Sequence, residues 1–185
     1  MMIRIKMYGL GGQGVVTAAK ILSIAVSVYE DRYAITIPAY GHERRGAPVY
    51  TDMVVDDKRV MQNCYVYEPD LIVIFEETLI DKNVDVGLGS NANTVVIINS
   101  ENDEIIEQYK NKFGFKKVYK VGATQISINN IGLNIPNSAM LGAIAKSGYA
   151  KINSVENAIA EYFGERGGEE NQKTARESYD ETKVC

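Results

Sequence analysis

A glycine-rich turn that joins a strand-like segment to a helix-like segment is the feature that most restricts how this chain can fold. Residues 3–8, IRIKMY, alternate in the manner of a strand, and residues 15–29, VVTAAKILSIAVSVY, place apolar side chains at helical spacing. Between them, Gly9, Gly11 and Gly14 satisfy the pattern G-x-G-x-x-G. A strand, a glycine turn and a helix open a βαβ unit, so the start of the chain predicts an α/β fold.

The rest of the chain predicts further strands and helices. Two short apolar runs, DLIVIF at 70–75 and TVVIIN at 94–99, are typical of strands that are buried on both faces of a sheet. Ser100 is a plausible N-cap for the helix that follows. The other predicted strands are 32–38, 49–57 and 116–121, and the predicted helices are 101–113, 137–148 and 153–168.

Together these elements predict a mostly parallel, Rossmann-like sheet flanked by helices. The strands at 32–38 and 49–57 are joined by a long polar loop, and we expect them to form a local antiparallel pair. With 185 residues, of which 45% are hydrophobic, the chain is expected to form a single domain over 1–185. The polar stretch 169–185 is expected to be a C-terminal helix or a tail.

Charge and cysteine content restrict the function classes. The net charge of −4 and the absence of a basic run argue against nucleic-acid or anionic-membrane binding. Cys64 and Cys185 are far apart, so we expect no disulfide framework and no zinc or iron–sulfur site within this chain alone. No signal-peptide pattern and no apolar run of about 20 residues are present, and a cytoplasmic location is expected.

The glycine turn allows two interpretations, which the residues alone leave open. Such a turn can bring backbone N–H groups at a helix N-terminus close to an anion, or it can need glycine for tight packing alone. An NAD site also needs an acidic residue at the end of the second strand. That strand ends in ITIPAY, and Glu30 and Asp31 precede it. No Gly-Lys-Ser/Thr sequence follows, so the turn is not a P-loop.

A dense group of charged residues lies in the loop PAYGHERRGAP at 38–48. Arg44 and Arg45 have the side chains that bind carboxylate or phosphate in a bidentate manner, although a solvated loop with an internal ion pair is the alternative. His42 lies beside Glu43, but no nucleophile or orienting partner accompanies it. The sequence shows no complete catalytic constellation, so no catalytic residue and no metal ligand are assigned.

Four stretches, GLGGQGVVTAAKIL, PAYGHERRGAPV, PDLIVIF and IPNSAMLGAIAK, together resemble one family. It is the gamma subunit, or gamma domain, of the 2-oxoacid:ferredoxin oxidoreductases, which include pyruvate synthase. The resemblance covers nearly the whole chain. It implies a multisubunit enzyme that decarboxylates a 2-oxoacid on thiamine diphosphate, passes electrons through iron–sulfur clusters to ferredoxin, and forms an acyl-CoA.

The resemblance also implies a division of labour. Alpha, beta and delta partner subunits hold thiamine diphosphate and the iron–sulfur clusters, and coenzyme A (CoA) is a co-substrate of the complex. This chain would bind no cofactor by itself, would be inactive in isolation, and would contribute to assembly and to CoA access. The candidate contacts to CoA, to another anion or to a partner are Gly9, Gly11, Gly12, Gln13, Gly14, Arg44 and Arg45.

The identity of the 2-oxoacid stays open at this point. The sequence ERRGAPV resembles pyruvate-type gamma subunits, while His42 departs from the small residue or proline that the family often has there. The alternatives are the gamma subunit of a 2-oxoglutarate, 2-ketoisovalerate or indolepyruvate enzyme, or a stand-alone nucleotide-binding module. An isolated gamma chain would expose the apolar surface on which its partners dock, so we expect it to self-associate.

Overall fold

The computed structural model describes residues 1–39, 46–61, 65–82 and 84–185, and His42, Glu43, Arg44, Arg45 and Cys64 lie outside these ranges. The described residues form seven strands in one sheet, six α-helices and a 3₁₀ helix. The strands are Ile3–Leu10 (β1), Tyr33–Pro38 (β2), Pro48–Asp56 (β3), Leu71–Ile74 (β4), Val95–Asn99 (β5), Lys117–Val121 (β6) and Lys183–Val184 (β7). The helices are Val15–Val28 (α1), Asp103–Phe113 (α2), Ala123–Ile131 (α3), Asn137–Lys146 (α4), Ile152–Phe163 (α5) and Gly168–Glu181 (α6), with the 3₁₀ helix at Glu77–Asp81.

The sheet has the order β2-β3-β1-β4-β5-β6-β7, and its centre is parallel. Strands β1, β4, β5 and β6 pair in parallel, with Met7 opposite Val73 and Val73 opposite Ile97. At one edge β3 runs antiparallel to both β1 and β2, and at the other edge β7 runs antiparallel to β6. The predicted α/β fold and the predicted antiparallel pair are therefore confirmed.

Alternate side chains of the central strands enter two different apolar layers. Ile5 and Met7 point to the side on which α1, α3, α4, α5 and α6 pack. Ile72 and Ile74 point to the other side, where they meet α2 and the 3₁₀ helix. All four residues of β4 are buried because helices cover both faces of that strand, which explains its unbroken apolar sequence.

The polar C-terminal stretch forms a helix that is packed on the rest of the molecule, followed by the short strand β7. One side of α6 is buried, including Asn171, Ala175 and Ser178, and this side lies against α4. At their crossing, a Cβ atom on Gly142 would lie 2.0 Å from the carbonyl oxygen of Ala175. Small residues at this contact let the two helix backbones touch, so α4 is held between the sheet and α6.

Two local predictions need correction, and one helix was not predicted. Asn102, not Ser100, is the N-cap of α2, because its side chain accepts a hydrogen bond from the N–H group of Glu104. The helix predicted to extend to residue 168 ends at Phe163, where glycines with positive φ interrupt it before α6 begins. Helix α3 was not predicted, since its N-cap is Gly122, which has no capping side chain.

Candidate functional site

The glycine turn between β1 and α1 brings together five of the predicted site residues. Gly9 lies within β1. Gly11, Gly12 and Gln13 form the turn, and Gly14 is the N-cap of α1. The N–H group of Gly11 donates to the carbonyl oxygen of Ala47 at 2.8 Å, and the N–H group of Gly46 donates to that of Gly11 at 3.0 Å. These bonds continue the pairing of β1 with β3 beyond the end of β1.

Two of these glycines are required by packing and backbone conformation. A Cβ atom on Gly9 would lie 2.6 Å from Cγ2 of Val15 and 3.0 Å from Cβ of Phe75. Gly14 has φ of 75°, and a Cβ atom there would lie 2.9 Å from the side chain of Asn137. The turn thus needs glycine at these positions whether or not an anion binds it.

The side chain of Gln13 holds the turn to the end of the neighbouring strand β4. Its Oε1 accepts a hydrogen bond from the N–H group of Leu10 at 2.8 Å, and its Nε2 donates to Oε2 of Glu76 at 2.7 Å. The other carboxylate oxygen of Glu76 accepts from the N–H group and the hydroxyl of Thr78. Gln13 therefore uses both ends of its amide within the chain, and nothing in the sequence indicated Glu76 as its partner.

A cavity of about 750 Å³ opens over the glycine turn and the first turn of α1; we call it the loop pocket. None of the described residues that line it is charged, and most of its wall is apolar. Gly14 provides no side-chain cap, and the first N–H groups of α1 have no acceptor within the helix. The positive end of the α1 dipole consequently faces a pocket in whose described lining no residue is charged. The lining residues are Leu10, Gly11, Gly12, Gly14, Val15, Val16, Thr17, Ala39, Val49, Tyr50, Ile135, Asn137, Tyr162 and Phe163.

Asn137, the first residue of α4, is the one side-chain amide among the described residues of this wall. It is only 6% exposed, and its Oδ1 accepts a hydrogen bond from the N–H group of Ser138 at 2.8 Å. No described residue accepts a hydrogen bond from its Nδ2, which lies beside Gly14. The sequence does not indicate Asn137 as a site residue, because the pair Asn137-Ser138 is equally typical of the start of a helix.

A second cavity, of about 310 Å³, lies at the ends of β4 and β5 and the start of α3; we call it the acidic pocket. Its wall includes Glu76, Glu77 and Glu101. Asn99 holds its base together: Nδ2 donates to the carbonyl oxygen of Phe75 at 2.9 Å, and Oδ1 accepts from the N–H group of Thr124 at 3.2 Å. The amide of Asn99 is thus engaged by neighbouring residues, and the carboxylates of this wall disfavour anions.

The topology explains why the acid of an NAD site is missing from this turn. In dinucleotide-binding folds that acid ends a parallel strand beside β1. Here β3 takes this place and runs antiparallel, so that Val49 and Pro48 lie opposite Gly9 and Leu10. Glu30 is engaged elsewhere, since its carboxylate accepts a hydrogen bond from the N–H group of Lys151 at the start of α5.

A buried ion pair lies on the outer face of β1 and β3, close to the loop pocket. Nζ of Lys6 is 3.4 Å from Oδ1 of Asp52 and 5.2 Å from the ring centre of Tyr50. Both charged groups also bind the backbone of Val66, so they anchor the segment that covers this face. Burial raises the pKa of Asp52, although Lys6 and the Val66 N–H group oppose that shift.

The described residues offer neither a metal-binding cluster nor a helix that could span a membrane. In the described ranges, no group of three or more His, Cys, Asp or Glu residues is placed so that it could hold a metal ion. Within the same ranges, no helix combines the length and apolar character needed to cross a membrane. Cys185 is a free, exposed thiol at the end of the chain.

Comparison with known proteins identifies relatives that match nearly the whole chain. The sequence profile described as pyruvate ferredoxin/flavodoxin oxidoreductase matches residues 4–181. The chain is 42% identical over 186 aligned residues to the pyruvate/ketoisovalerate oxidoreductases common subunit gamma of Pyrococcus abyssi, covering 99% of this chain and 98% of that one. It is 39% identical to pyruvate synthase subunit PorC of Methanocaldococcus jannaschii, with 97% of each chain covered.

A solved structure shows the same fold. The crystal structure of pyruvate oxidoreductase subunit PORC from Thermotoga maritima superposes with a TM-score of 0.86 and 28% identity, covering 100% of this chain and 98% of that one. The resemblance inferred from the four sequence stretches is confirmed. This chain belongs to the pyruvate ferredoxin/flavodoxin oxidoreductase family and is similar over its whole length to the gamma subunits of these complexes.

Proposed function

We propose that this chain is the gamma subunit of a pyruvate-type 2-oxoacid:ferredoxin oxidoreductase, in which it serves assembly and CoA access without breaking bonds itself. Full-length similarity to gamma and PorC subunits supports the assignment to a complex. The complex would oxidise the 2-oxoacid, release CO₂ and form the acyl-CoA.

One observation carries the CoA part of the proposal. The uncapped N-terminus of α1 opens into the loop pocket, where no described residue bears a charge that would compete with a phosphate. CoA combines phosphate groups with a long, partly apolar arm, and a pocket of about 750 Å³ suits a ligand of that kind. Arg44 and Arg45 remain candidate contacts to a CoA phosphate or to a partner subunit.

The proposed partners are alpha, beta and delta subunits that bind thiamine diphosphate and the iron–sulfur clusters, with ferredoxin as the acceptor of the cytoplasmic complex. Three tyrosines near the loop pocket, Tyr50, Tyr65 and Tyr67, are exposed to 38%, 48% and 73%. Tyrosine is enriched in protein interfaces, so this surface supports the expected self-association of the isolated chain. Light scattering of the purified chain checks this; a monomer at high concentration would contradict it.

The decisive experiment is anaerobic affinity purification of this chain from its native cell, followed by an assay of CoA-dependent pyruvate oxidation with a viologen acceptor. Larger partners that carry thiamine diphosphate and clusters, recovered together with that activity, support the proposal. The assay is repeated with 2-ketoisovalerate, 2-oxoglutarate and indolepyruvate, since relatives named as a common subunit favour 2-ketoisovalerate as the second substrate. A chain recovered alone that binds NAD would instead support the stand-alone nucleotide-binding module.

Substitution of Gly12 separates assembly from ligand access within the complex. Gly12 has φ of 101° and is exposed at the tip of the turn. If Gly12→Val leaves the complex assembled but raises its KM for CoA, the turn serves the ligand. If the subunit no longer joins the complex, the turn serves assembly.

A further inference from the structure

We infer that the free edge of β2 is an interface for a second copy of this chain. Two β2 strands pair antiparallel about a two-fold axis at Ile35 and join two seven-stranded sheets into one continuous sheet. The inference concerns the chain by itself and does not depend on the proposed oxidoreductase function.

The hydrogen bonds between β2 and β3 determine which backbone groups of β2 point outward. The N–H group of Ala39, just after β2, donates to the carbonyl oxygen of Tyr50 at 3.2 Å, in the register of the β2–β3 pair. Because hydrogen-bonded pairs alternate along an antiparallel ladder, the odd-numbered residues of β2 bond to β3 and the even-numbered residues face away from it. The N–H groups of Ala34 and Thr36 therefore have no acceptor among the described residues.

The β2 edge lacks the features that protect an exposed sheet edge from pairing. Its sequence, YAITIP, contains no charged side chain, and its one proline, Pro38, stands at the end of the strand. The opposite edge is different, because β7 has only two residues and one of them is Lys183. Of the two edges of the described sheet, β2 is the one that is long and uncharged enough to accept another strand.

One register uses both free N–H groups of the β2 edge. With the two-fold axis at Ile35, Ala34 of each copy lies opposite Thr36 of the other, and each of these two pairs can form two hydrogen bonds. With the axis at Thr36, Ala34 would lie opposite Pro38, which has no N–H group. With the axis at Ala34, Thr36 would lie opposite Arg32, whose N–H group already donates to a backbone carbonyl of its own chain.

The side chains of β2 favour the same register. At the axis, the Ile35 side chains of the two copies would face each other in a pair without backbone bonds, where opposite side chains are closest. On either side of the axis, Tyr33, which is 50% exposed, would lie opposite Ile37 of the other copy. Aromatic and β-branched residues are favourable neighbours across strands, and the pairing would remove Tyr33 from water.

The interface is narrow, so we expect a weak dimer. Strand β2 has six residues, and an edge of this length buries less area than a stable interface requires. We expect a Kd for the dimer of about 10–100 μM, which makes the association dependent on concentration.

The test compares two substitutions that each remove an outward-facing N–H group from an edge strand. Thr36→Pro removes one from β2. Val184→Pro is the matched control: the N–H group of Cys185 donates to the carbonyl oxygen of Val118 at 2.9 Å, so the alternation leaves the N–H group of Val184 facing outward on β7. Sedimentation equilibrium of the full chain measures the Kd. We expect it to rise about tenfold or more in Thr36→Pro and to stay within about twofold of the wild type in Val184→Pro.

Hydrogen exchange of the wild-type chain locates the interface without a substitution, and it decides the question if Thr36→Pro does not fold. Raising the chain concentration from below to above the Kd should slow exchange at the N–H groups of Ala34 and Thr36 and leave that of Val184 unchanged. A dimer that forms without this protection, or an unchanged Kd in Thr36→Pro, would overturn the inference.

Two further outcomes would also overturn it. The first is a chain that stays monomeric at about 0.5 mM. The second is protection of Ala34 and Thr36 only in the purified complex, which would assign the β2 edge to a strand of a partner subunit instead of a second copy. None of these measurements involves oxidation of a 2-oxoacid, so the proposed function is supported or refuted by its own assay.

Discussion

The loop pocket and the acidic pocket lie at the same edge of the sheet, beyond the ends of neighbouring parallel strands, but they differ in composition. The described wall of the loop pocket consists mainly of glycine backbone and apolar side chains, and it includes the start of α1 and the amide of Asn137. The acidic pocket is walled by carboxylates, and Asn99 and Thr124 satisfy each other's polar groups. Both pockets are formed by the fold, and the charge of their lining residues determines which of them can bind an anion.

The boundary between the two pockets is the Gln13–Glu76 hydrogen bond. In dinucleotide-binding folds a ligand extends across the ends of β1 and its parallel neighbour. Here such a ligand would pass from the loop pocket over Gln13 to Glu76 and Glu101. The difference between the pockets therefore favours a ligand that binds on the β1–β3 side, and it disfavours a dinucleotide that spans both.

The largest effect is expected at Gly9 in β1, which packs directly behind the glycine turn. Gly9→Ala should lower the free energy of unfolding by about 3 kcal/mol, because its Cβ would overlap the fixed side chains of Val15 and Phe75. The matched change in the acidic pocket is Gly122→Ala, whose Cβ meets only the movable end of Glu101 and should cost less than about 1 kcal/mol. Urea unfolding of both variants measures the difference. Equal losses would show that the surroundings of the two glycines are packed equally tightly.

The acidic pocket, in contrast, depends on one side chain. Asn99→Ala should cost about 2 kcal/mol, because it leaves the carbonyl oxygen of Phe75 and the N–H group of Thr124 without their partner. Gln125→Ala in the same wall should change stability by less than about 0.5 kcal/mol, since Gln125 is exposed. Urea unfolding measures both variants. A loss of similar size in the two would mean that Asn99 does not organise this pocket.

A smaller effect is expected at the boundary. Gln13→Glu places a second carboxylate against Glu76 while keeping an oxygen for the Leu10 N–H group. We expect a loss of about 1 kcal/mol at pH 8, which shrinks in acid because protonation of either carboxyl removes the repulsion. The folded variant takes up a proton more readily than the unfolded chain, so its deficit grows as the pH rises.

The double variant Gln13→Glu, Glu76→Gln serves as the control for this pair. It restores one donor and one acceptor at the boundary and should recover most of the stability at pH 8. Unfolding curves of the wild type and both variants at pH 5 and pH 8 make the comparison. A deficit that does not depend on pH would show that charge is not its cause.

The sequence predicted the central strands well because each carries a strong local signal. The apolar runs of β4 and β5 each predict a buried strand, and the glycine turn before α1 predicts a strand followed by a helix, whatever its role in binding. Helix α3 and the N-cap Asn102 were missed because their signals are weak or compete with a neighbouring serine. The loop pocket was beyond prediction, since Asn137 lies 123 positions after Gly14 in the chain and only the packing of α4 against α1 brings them together.

The smallest expected effect tests whether charge alone keeps a dinucleotide out of the acidic pocket. With NAD at about 1 mM, the unfolding temperature of the wild type should move by less than about 0.5 °C, because Glu77 and Glu101 repel a pyrophosphate that extends beyond β1. In the variant Glu77→Gln, Glu101→Gln a shift of about 1 °C is expected, as for a ligand near its Kd. Thermal unfolding with and without NAD measures both.

The control is Glu68→Gln, Glu165→Gln, which removes two charges from exposed positions outside both pockets. If this variant gains the same shift with NAD, the net charge of the chain, and not the acidic pocket, governs nucleotide binding. If the wild type itself is stabilised by several degrees, the carboxylates do not exclude a dinucleotide. The two pockets would then differ in shape and not in their affinity for anions. The proposal that the loop pocket is the anion site would be weakened. The expected pattern, a gain only when Glu77 and Glu101 are neutralised, assigns the exclusion to those two side chains.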